Sequence, residues 1–150
     1  MPYGVPLTLQ TFAIPLSGVV LGMKNGTIAT VVYILLGAIG VPVFAGFTGG
    51  VGIVFGRTGG FILSFPLMSF TAGIGVKKNH AWLVLWLLVG TLINFACGML
   101  MFNAVTAIGL VLSFSYVVVP FLPTAAIKIF LVVALGKSIK RALVKSGVLV

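Results

Sequence analysis

Long apolar runs separated by short polar turns dominate the sequence. The runs cover residues 7–23, 27–44, 61–76, 81–101 and 124–135. Stretches of about 17–25 mostly apolar residues match the hydrocarbon thickness of a bilayer, because a helix rises about 1.5 Å per residue. The first run, at 17 residues, is just long enough to span, and the last run continues as a polar, amphipathic tail. The pattern predicts five membrane-spanning helices.

Two further segments shape this picture. Residues 45–60 contain seven glycines, a density that disfavours a regular helix and predicts a structured loop. Residues 104–119 are apolar but are followed at once by Pro120 and Pro123, so they form either a short surface helix or a sixth span. The sequence thus predicts an all-α membrane protein, a bundle of five to six transmembrane helices with a Gly-rich outer loop, as a single domain over residues 1–150.

Composition excludes a soluble fold. Of the 150 residues, 61% are hydrophobic and 6% are charged, whereas soluble domains average about 25% charged residues. The net charge is +9, from nine Lys and Arg and no Asp or Glu. These cations do not form the stripe of a nucleic-acid-binding face. They lie in short clusters between apolar runs, as membrane topology requires, so we expect membrane lipid and not nucleic acid as a partner.

The charge distribution also predicts an orientation. If the C-terminal tail is cytoplasmic, five spans put most cations on that side of the membrane, as the positive-inside rule describes. These cations are Lys24, Lys77, Lys78, Lys137, Lys140, Arg141 and Lys145. Arg57 then lies in an outer loop and Lys128 within the last span. We therefore expect a multi-pass protein of the cell membrane with its C-terminus in the cytoplasm and its first residues outside.

The chain has few of the side chains that catalysis or metal binding requires. Acid–base catalysis, triads and metal sites need carboxylates, histidines or thiols in groups. The chain has no carboxylate side chain, one histidine (His80) and one cysteine (Cys97). The Gly-rich loop also lacks the Gly-Lys-Ser/Thr ending of a nucleotide-binding P-loop. The sequence predicts that the protein is not an enzyme and has no metal or cofactor.

Lys128 is the most informative single residue. It lies about four residues into the last apolar run, about 6 Å below the outer end of that helix. Either its stem packs while its ammonium reaches the interface, or it receives an anionic ligand, as intramembrane ionisable residues often do. The chain offers no acidic side chain as a partner, which favours the ligand. Arg57 is either a solvated loop charge or a second contact to the same ligand.

Aromatic and small residues suggest how a site could be built. Phe44, Phe47 and Phe55, in and beside the Gly-rich loop, and Tyr116 are apolar lining that could form an aromatic pocket for a small ring. Asn94, in the middle of a span, is expected to make a helix–helix hydrogen bond more readily than a ligand contact. Gly18 and Gly22 form a small-xxx-small pair, typical of close helix packing.

Four stretches of the chain resemble the BioY family. They are residues 6–11 (PLTLQT), 36–46 (LGAIGVPVFAG), 56–61 (GRTGGF) and 120–123 (PFLP). BioY proteins are the biotin-binding S components of energy-coupling factor transporters. The resemblance implies six membrane helices, capture of biotin from outside, and docking to a transmembrane coupling protein and a pair of ATPases.

The resemblance also implies a site. The family's biotin site lies near the outer face, under the loop after the third helix, and a lysine at the start of the last helix helps to hold the ligand; Lys128 matches that position. With the Gly-rich, Phe-rich loop as partner for the ring, the predicted substrate-binding residues are Lys128, Arg57, Thr48, Phe44, Phe47, Gly49, Gly50, Phe55 and Tyr116.

Three departures from the family pattern keep alternatives open. The family's first helix, which helps docking to the coupling protein, has no counterpart before residues 6–11. Ala125 stands where the family motif before Lys128 has an aspartate, a potential contact to the ureido group of biotin. Arg57 stands where the family mostly has proline. The alternatives to biotin uptake are an S component for another vitamin and a non-transporting membrane partner subunit.

Overall fold

The computed structural model describes residues 5–149 and is almost entirely helical. Within these residues no β-strand forms, and one isolated bridge joins Phe44 to Thr48. This architecture confirms the predicted all-α class. The helices are α1 (Gln10–Ala38), α2 (Val51–Val54), α3 (Gly59–Leu63), α4 (Phe65–Gly75), α5 (His80–Thr106), α6 (Leu110–Val117) and α7 (Leu122–Lys145), and a 3₁₀ turn (Val119–Phe121) leads into α7.

Helix α1 is broken at Gly22 and folds back on itself. Gly22 has φ 85° and ψ 170°, a conformation that is essentially restricted to glycine. A Cβ atom built on Gly26 would lie 2.7 Å from the Cα of Gly18, although eight residues along an unbroken helix are about 12 Å apart. Two antiparallel arms, residues 10–21 and 23–38, therefore replace one continuous helix.

The two arms correspond to the first two predicted spans, but the reversal differs in position. The sequence predicts the turn at residues 24–26, whereas the structure places those residues in the second arm. Polar residues mark where a chain can meet water, but only the backbone at Gly22 adopts the conformation that reverses it. A Cβ atom on Gly22 would have no neighbour within 4 Å, so the packing role predicted for this glycine is wrong.

Helix α4 packs closely against both arms through small residues. A Cβ atom on Gly18 would lie 2.0 Å from the backbone oxygen of Ser69. A Cβ atom on Gly73 would lie 2.3 Å from the Cα of Met23. Such backbone-to-backbone approach is how helices associate where apolar burial gives no driving force. The packing role predicted for Gly18 is confirmed.

Three helical segments are long and apolar enough to cross a membrane: Gln10–Ala38, His80–Thr106 and Leu110–Lys145. Gly59–Gly75 is a shorter apolar helix. Because α1 doubles back and α7 follows α6 through the 3₁₀ turn, residues 5–149 contain five apolar segments, which are the two arms of α1, Gly59–Gly75, His80–Thr106 and Leu110–Lys145. Helix α6, with eight residues, is about 12 Å long and cannot span a hydrocarbon core of about 30 Å alone. Residues 104–119 thus do not form a separate sixth span.

The basic residues collect at one end of the bundle. Met23, at the turn of α1, packs on Gly73 near the end of α4, and Lys137 Nζ in α7 donates to the backbone oxygen of Lys78 at 3.1 Å. These contacts bring the turn of α1, the end of α4 and the second half of α7 together. The seven cations that the orientation prediction placed on one side belong to these segments, and we call this end of the bundle the basic end. The Gly-rich segment and the starts of α1 and α7 lie at the opposite end, the loop end.

Candidate functional site

A cavity of about 320 Å³ lies at the loop end, among the starts of α1 and α7, the α3–α4 segment, α5 and the Gly-rich segment. Most of its wall is apolar and aromatic, from Val5, Pro6, Pro15, Phe44, Ala45, Ile53, Phe61, Ile62, Phe65, Met68, Leu87, Phe95, Phe121, Ala125, Ile129 and Val132. Its polar lining is Thr8, Gln10, Thr11, Thr48, Thr58, Thr91, Asn94, Thr124 and Lys128. Apolar walls with a few placed polar groups are typical of small-molecule sites.

Lys128 is held at the wall of this cavity. Its Nζ donates to the backbone oxygen of Thr8 at 2.6 Å and to Oγ1 of Thr11 at 2.7 Å. An ammonium group has three N–H donors, so these two bonds leave one for a ligand. The chain contains no Asp or Glu to neutralise the charge. Lys128 is therefore a positioned cation with spare donor capacity, facing a mostly apolar space.

A short hydrogen-bond chain ties the first arm of α1 to the Gly-rich segment. The side-chain amide of Gln10 donates to the hydroxyl of Tyr33, which in turn donates to the backbone oxygen of Val43 at 2.7 Å. The Tyr33 ring also meets the Phe44 ring edge-on, with centroids 5.8 Å apart. A Cβ atom on Gly37 would lie 2.1 Å from the Phe44 ring. Glycine there makes room for the aromatic ring that forms one cavity wall.

Asn94 supplies a polar group deep in the bundle. It is 1% exposed, and its Nδ2 donates to the backbone oxygen of Phe61 at 2.9 Å and to Oγ of Ser64 at 2.7 Å. Because a carbonyl oxygen can only accept, these bonds orient the amide. The predicted helix–helix hydrogen bond is confirmed. Asn94 also lines the cavity, and no residue within 5–149 donates to its Oδ1, which leaves that oxygen as an acceptor.

The start of the Gly-rich segment forms a tight loop that contributes Phe44, Ala45 and Thr48 to the cavity wall. The Phe44 N–H donates to the backbone oxygen of Thr48 at 2.9 Å, and Thr48 Oγ1 donates to the backbone oxygen of Ala45 at 2.8 Å. A Cβ atom on Gly49 would lie 2.4 Å from the backbone oxygen of Val41. Gly50 has φ 116°, and its N–H donates to the backbone oxygen of Gly37 in α1 at 2.6 Å. Gly49 and Gly50 therefore shape the loop, while Thr48 and Phe44 line the cavity.

The remaining predicted site residues lie elsewhere. Phe47 is 91% exposed and Phe55 is 66% exposed, and neither lines the cavity. Arg57 is exposed at the loop end. Tyr116 packs in an adjacent cluster around Phe102. The structure thus brings together Lys128, Phe44 and Thr48 out of the predicted set.

Sequence reasoning missed the polar residues at the start of α1. Thr8 and Thr11 hold Lys128, and Gln10 anchors Tyr33. Their sequence signal is a Thr-Leu-Gln-Thr run at the head of an apolar segment, which indicates the family but not the chemistry of these side chains. Within residues 5–149 no group of three or more His, Cys, Asp or Glu could hold a metal ion. The available chemistry is a cation, hydroxyls, amides and aromatic faces, which suits reversible binding.

The fold and the cavity define a multi-pass helical membrane protein with a cavity of small-molecule size at one end of its bundle. Comparison with known proteins then identifies the family. The BioY family model matches residues 1–145, and the chain belongs to this family. The resemblance noted in the sequence is thereby confirmed.

Individual relatives agree with this assignment. The chain is 47% identical over 94 residues to a probable biotin transporter of Pyrococcus horikoshii, covering 63% of this chain and 56% of that protein. It is 43% identical over 106 residues to a biotin transporter of Thermotoga maritima, covering 69% and 63% of the two chains. These two matches span less than two thirds of the relatives' lengths. A biotin transporter of Lactococcus lactis subsp. cremoris is 36% identical over 149 residues, covering 95% and 81%.

A solved structure shares the fold. The crystal structure of the S-component for biotin from an ECF-type ABC transporter superposes with a TM-score of 0.84 at 27% sequence identity. The match covers 92% of this chain and 77% of that one. The helix order described above therefore belongs to a known class of membrane bundle.

Proposed function

We propose that this protein captures biotin in the loop-end cavity and acts as the substrate-binding S component of an energy-coupling factor transporter. The observation that carries the proposal is Lys128, a cation that no acidic side chain of the chain neutralises, held at the wall of an aromatic cavity. Biotin is a small ring compound with one carboxylate. The relatives and the solved structure that bear biotin in their names support this ligand.

The lining suggests how biotin would sit. The carboxylate would take the remaining N–H of Lys128, because a charge-assisted bond in a poorly hydrated site is stronger than a neutral one. The sulfur-containing ring would lie against Phe44 and Phe65. An N–H of the ureido group would donate to Oδ1 of Asn94. The carboxylate and one ureido N–H then have partners, which lowers the cost of burying these polar groups.

The charge pattern supports the orientation. Under the positive-inside rule the basic end faces the cytoplasm, so the C-terminus is cytoplasmic and the cavity is near the outer surface. Biotin would enter from outside. Release to the cytoplasm would require an energy source, which we assign to a transmembrane coupling protein and ATPase subunits, because the solved neighbour is the S-component of an ECF-type ABC transporter. Nothing in the cavity's chemistry calls for catalysis by this chain.

Ala125 supports a second candidate, an S component for another vitamin. Ala125 lines the cavity three residues before Lys128, where the family pattern has an aspartate. A methyl group there gives no acceptor for a ureido N–H, so a ligand with an anion and a ring but fewer donors would fit as well. Identification of the molecule that copurifies with the protein, by native mass spectrometry, separates the two candidates.

Titration calorimetry of the purified protein tests the biotin proposal. We expect saturable binding of biotin and at least tenfold weaker binding of biotin methyl ester, which lacks the anion. In Lys128→Ala the two compounds should bind with similar affinity, because the cation that distinguishes them is gone. If biotin does not bind saturably and another vitamin copurifies, the protein is an S component for that vitamin. Absence of any ligand, with tightly associated membrane proteins, would favour a partner subunit.

A further inference from the structure

A second recess lies at the opposite, basic end of the bundle. It is a groove of about 480 Å³ between the end of α4 and the last turns of α7. One apolar residue that follows α4 and five residues of α7 line it: Val76, Lys137, Lys140, Arg141, Val144 and Lys145. Membrane topology requires cations on one side of the bilayer, but it does not require four of them to converge on one groove.

No acidic side chain neutralises these four cations. Lys137 is positioned by its bond to the backbone oxygen of Lys78. Arg141 lies four residues after Lys137 and four before Lys145, and like charges at this helical spacing repel. The chain has no Asp or Glu to relieve the repulsion. A bound anion would relieve it, so the groove has the electrostatics of an anion site.

The same face of α7 changes from apolar to basic along its length. Lys137, Lys140 and Arg141 are spaced three and four residues apart, which places them on one side of the helix. Seven residues before Lys137 on that side is Phe130, which is 70% exposed and about 10 Å further into the bundle's apolar zone. Val144 and Val76 add apolar surface within the groove itself.

The structure assigns this groove as a binding site for the headgroup of an anionic phospholipid, with the phosphate among the four cations and an acyl chain along the Phe130 side of α7. A phospholipid matches both halves of this face, whereas a soluble polyanion would meet only the basic half. Basic pockets at the ends of membrane helices recognise anionic lipids in this way. The inference is independent of which vitamin occupies the loop-end cavity.

Native mass spectrometry of the full chain, purified in detergent and supplied with lipids of equal acyl length, tests the assignment. We expect phosphatidylglycerol to be retained at least tenfold more strongly than phosphatidylcholine. Arg141→Ala should weaken phosphatidylglycerol retention by about fivefold, the contribution of one cation near an anionic surface. Arg57→Ala, the same chemical change at the loop end, should alter it by less than twofold. An unchanged melting temperature and size-exclusion profile in each variant would show that the bundle is intact.

Three results would overturn the assignment. Equal retention of the two lipids would remove the headgroup preference. Equal losses in Arg141→Ala and Arg57→Ala would show that net charge and not the groove binds the lipid. Displacement of phosphatidylglycerol by equimolar glycerol phosphate would show that the groove binds a free anion. Displacement by an acidic peptide would show that it binds a protein partner. If Arg141→Ala does not purify as a single species, Lys140→Ala carries the same test.

Discussion

The ammonium of Lys128 donates to Oγ1 of Thr11 at 2.7 Å, across 117 residues of sequence. This bond joins the last helix to the first turns of α1 and fixes the cation at the cavity wall before any ligand arrives. A charge that is already positioned loses less conformational entropy on binding, which favours affinity. The relationship makes Lys128 the first residue to test.

Replacing Lys128 with alanine should weaken biotin binding by more than tenfold. The substitution removes the charge-assisted bond to the ligand carboxylate and the two bonds that hold Thr8 and Thr11 in place. Isothermal titration calorimetry measures the change. Lys145→Ala, the same substitution at the basic end, is the matched control and should leave the affinity unchanged. Equal affinities in wild type and Lys128→Ala would show that Lys128 does not contribute to ligand binding.

Replacing Ala125 with aspartate should strengthen biotin binding by about five- to tenfold. A carboxylate at this cavity-lining position can accept a charge-assisted bond from a ureido N–H, which a methyl group cannot. Ala125→Asn is the neutral control of similar size, and it should give a smaller gain. Weaker binding in Ala125→Asp, measured by the same calorimetry, would mean that the new carboxylate pairs with Lys128 and displaces the ligand anion.

Phe44 and Phe47 should differ sharply in their effect on the ligand. Phe44 is 4% exposed and lines the cavity, whereas Phe47 is 91% exposed. We expect Phe44→Ala to weaken biotin binding by at least tenfold, because it removes an aromatic wall. Phe47→Ala should change the affinity by less than twofold. A large loss in Phe47→Ala would show that the loop closes over the ligand and brings Phe47 onto it.

Gly18→Ala should destabilise the bundle. Its Cβ would lie 2.0 Å from the backbone oxygen of Ser69, so α1 and α4 must move apart, at a cost of about 1–3 kcal/mol. Gly52→Ala is the control, since no atom lies within 4 Å of its Cβ position, and it should change stability by less than about 0.5 kcal/mol. Thermal unfolding followed by size-exclusion chromatography of the detergent-solubilised protein measures both. Similar melting temperatures for the two variants would contradict the close packing.

Much of the bundle can be predicted from the sequence because a bilayer constrains it locally. Length and hydropathy identify the apolar segments at residues 81–101 and 61–76, which the structure shows as α5 and the α3–α4 segment. The polar turn predicts the reversal within α1 two residues too late, at Lys24 instead of Gly22. Polarity indicates where a turn can face water, while the backbone conformation decides which residue makes it.

The sequence by itself determined the class of protein, the five apolar segments and the shared end of the basic residues. These follow from composition and spacing, because a helix in lipid must be long, apolar and flanked by cations on one side. Only the tertiary structure decided that Phe44 enters the cavity and Phe47 does not. Gly46 and Phe47 have φ of 73° and 55°, and this local reversal of the chain, together with the space left by Gly37, separates two aromatic residues that composition cannot tell apart.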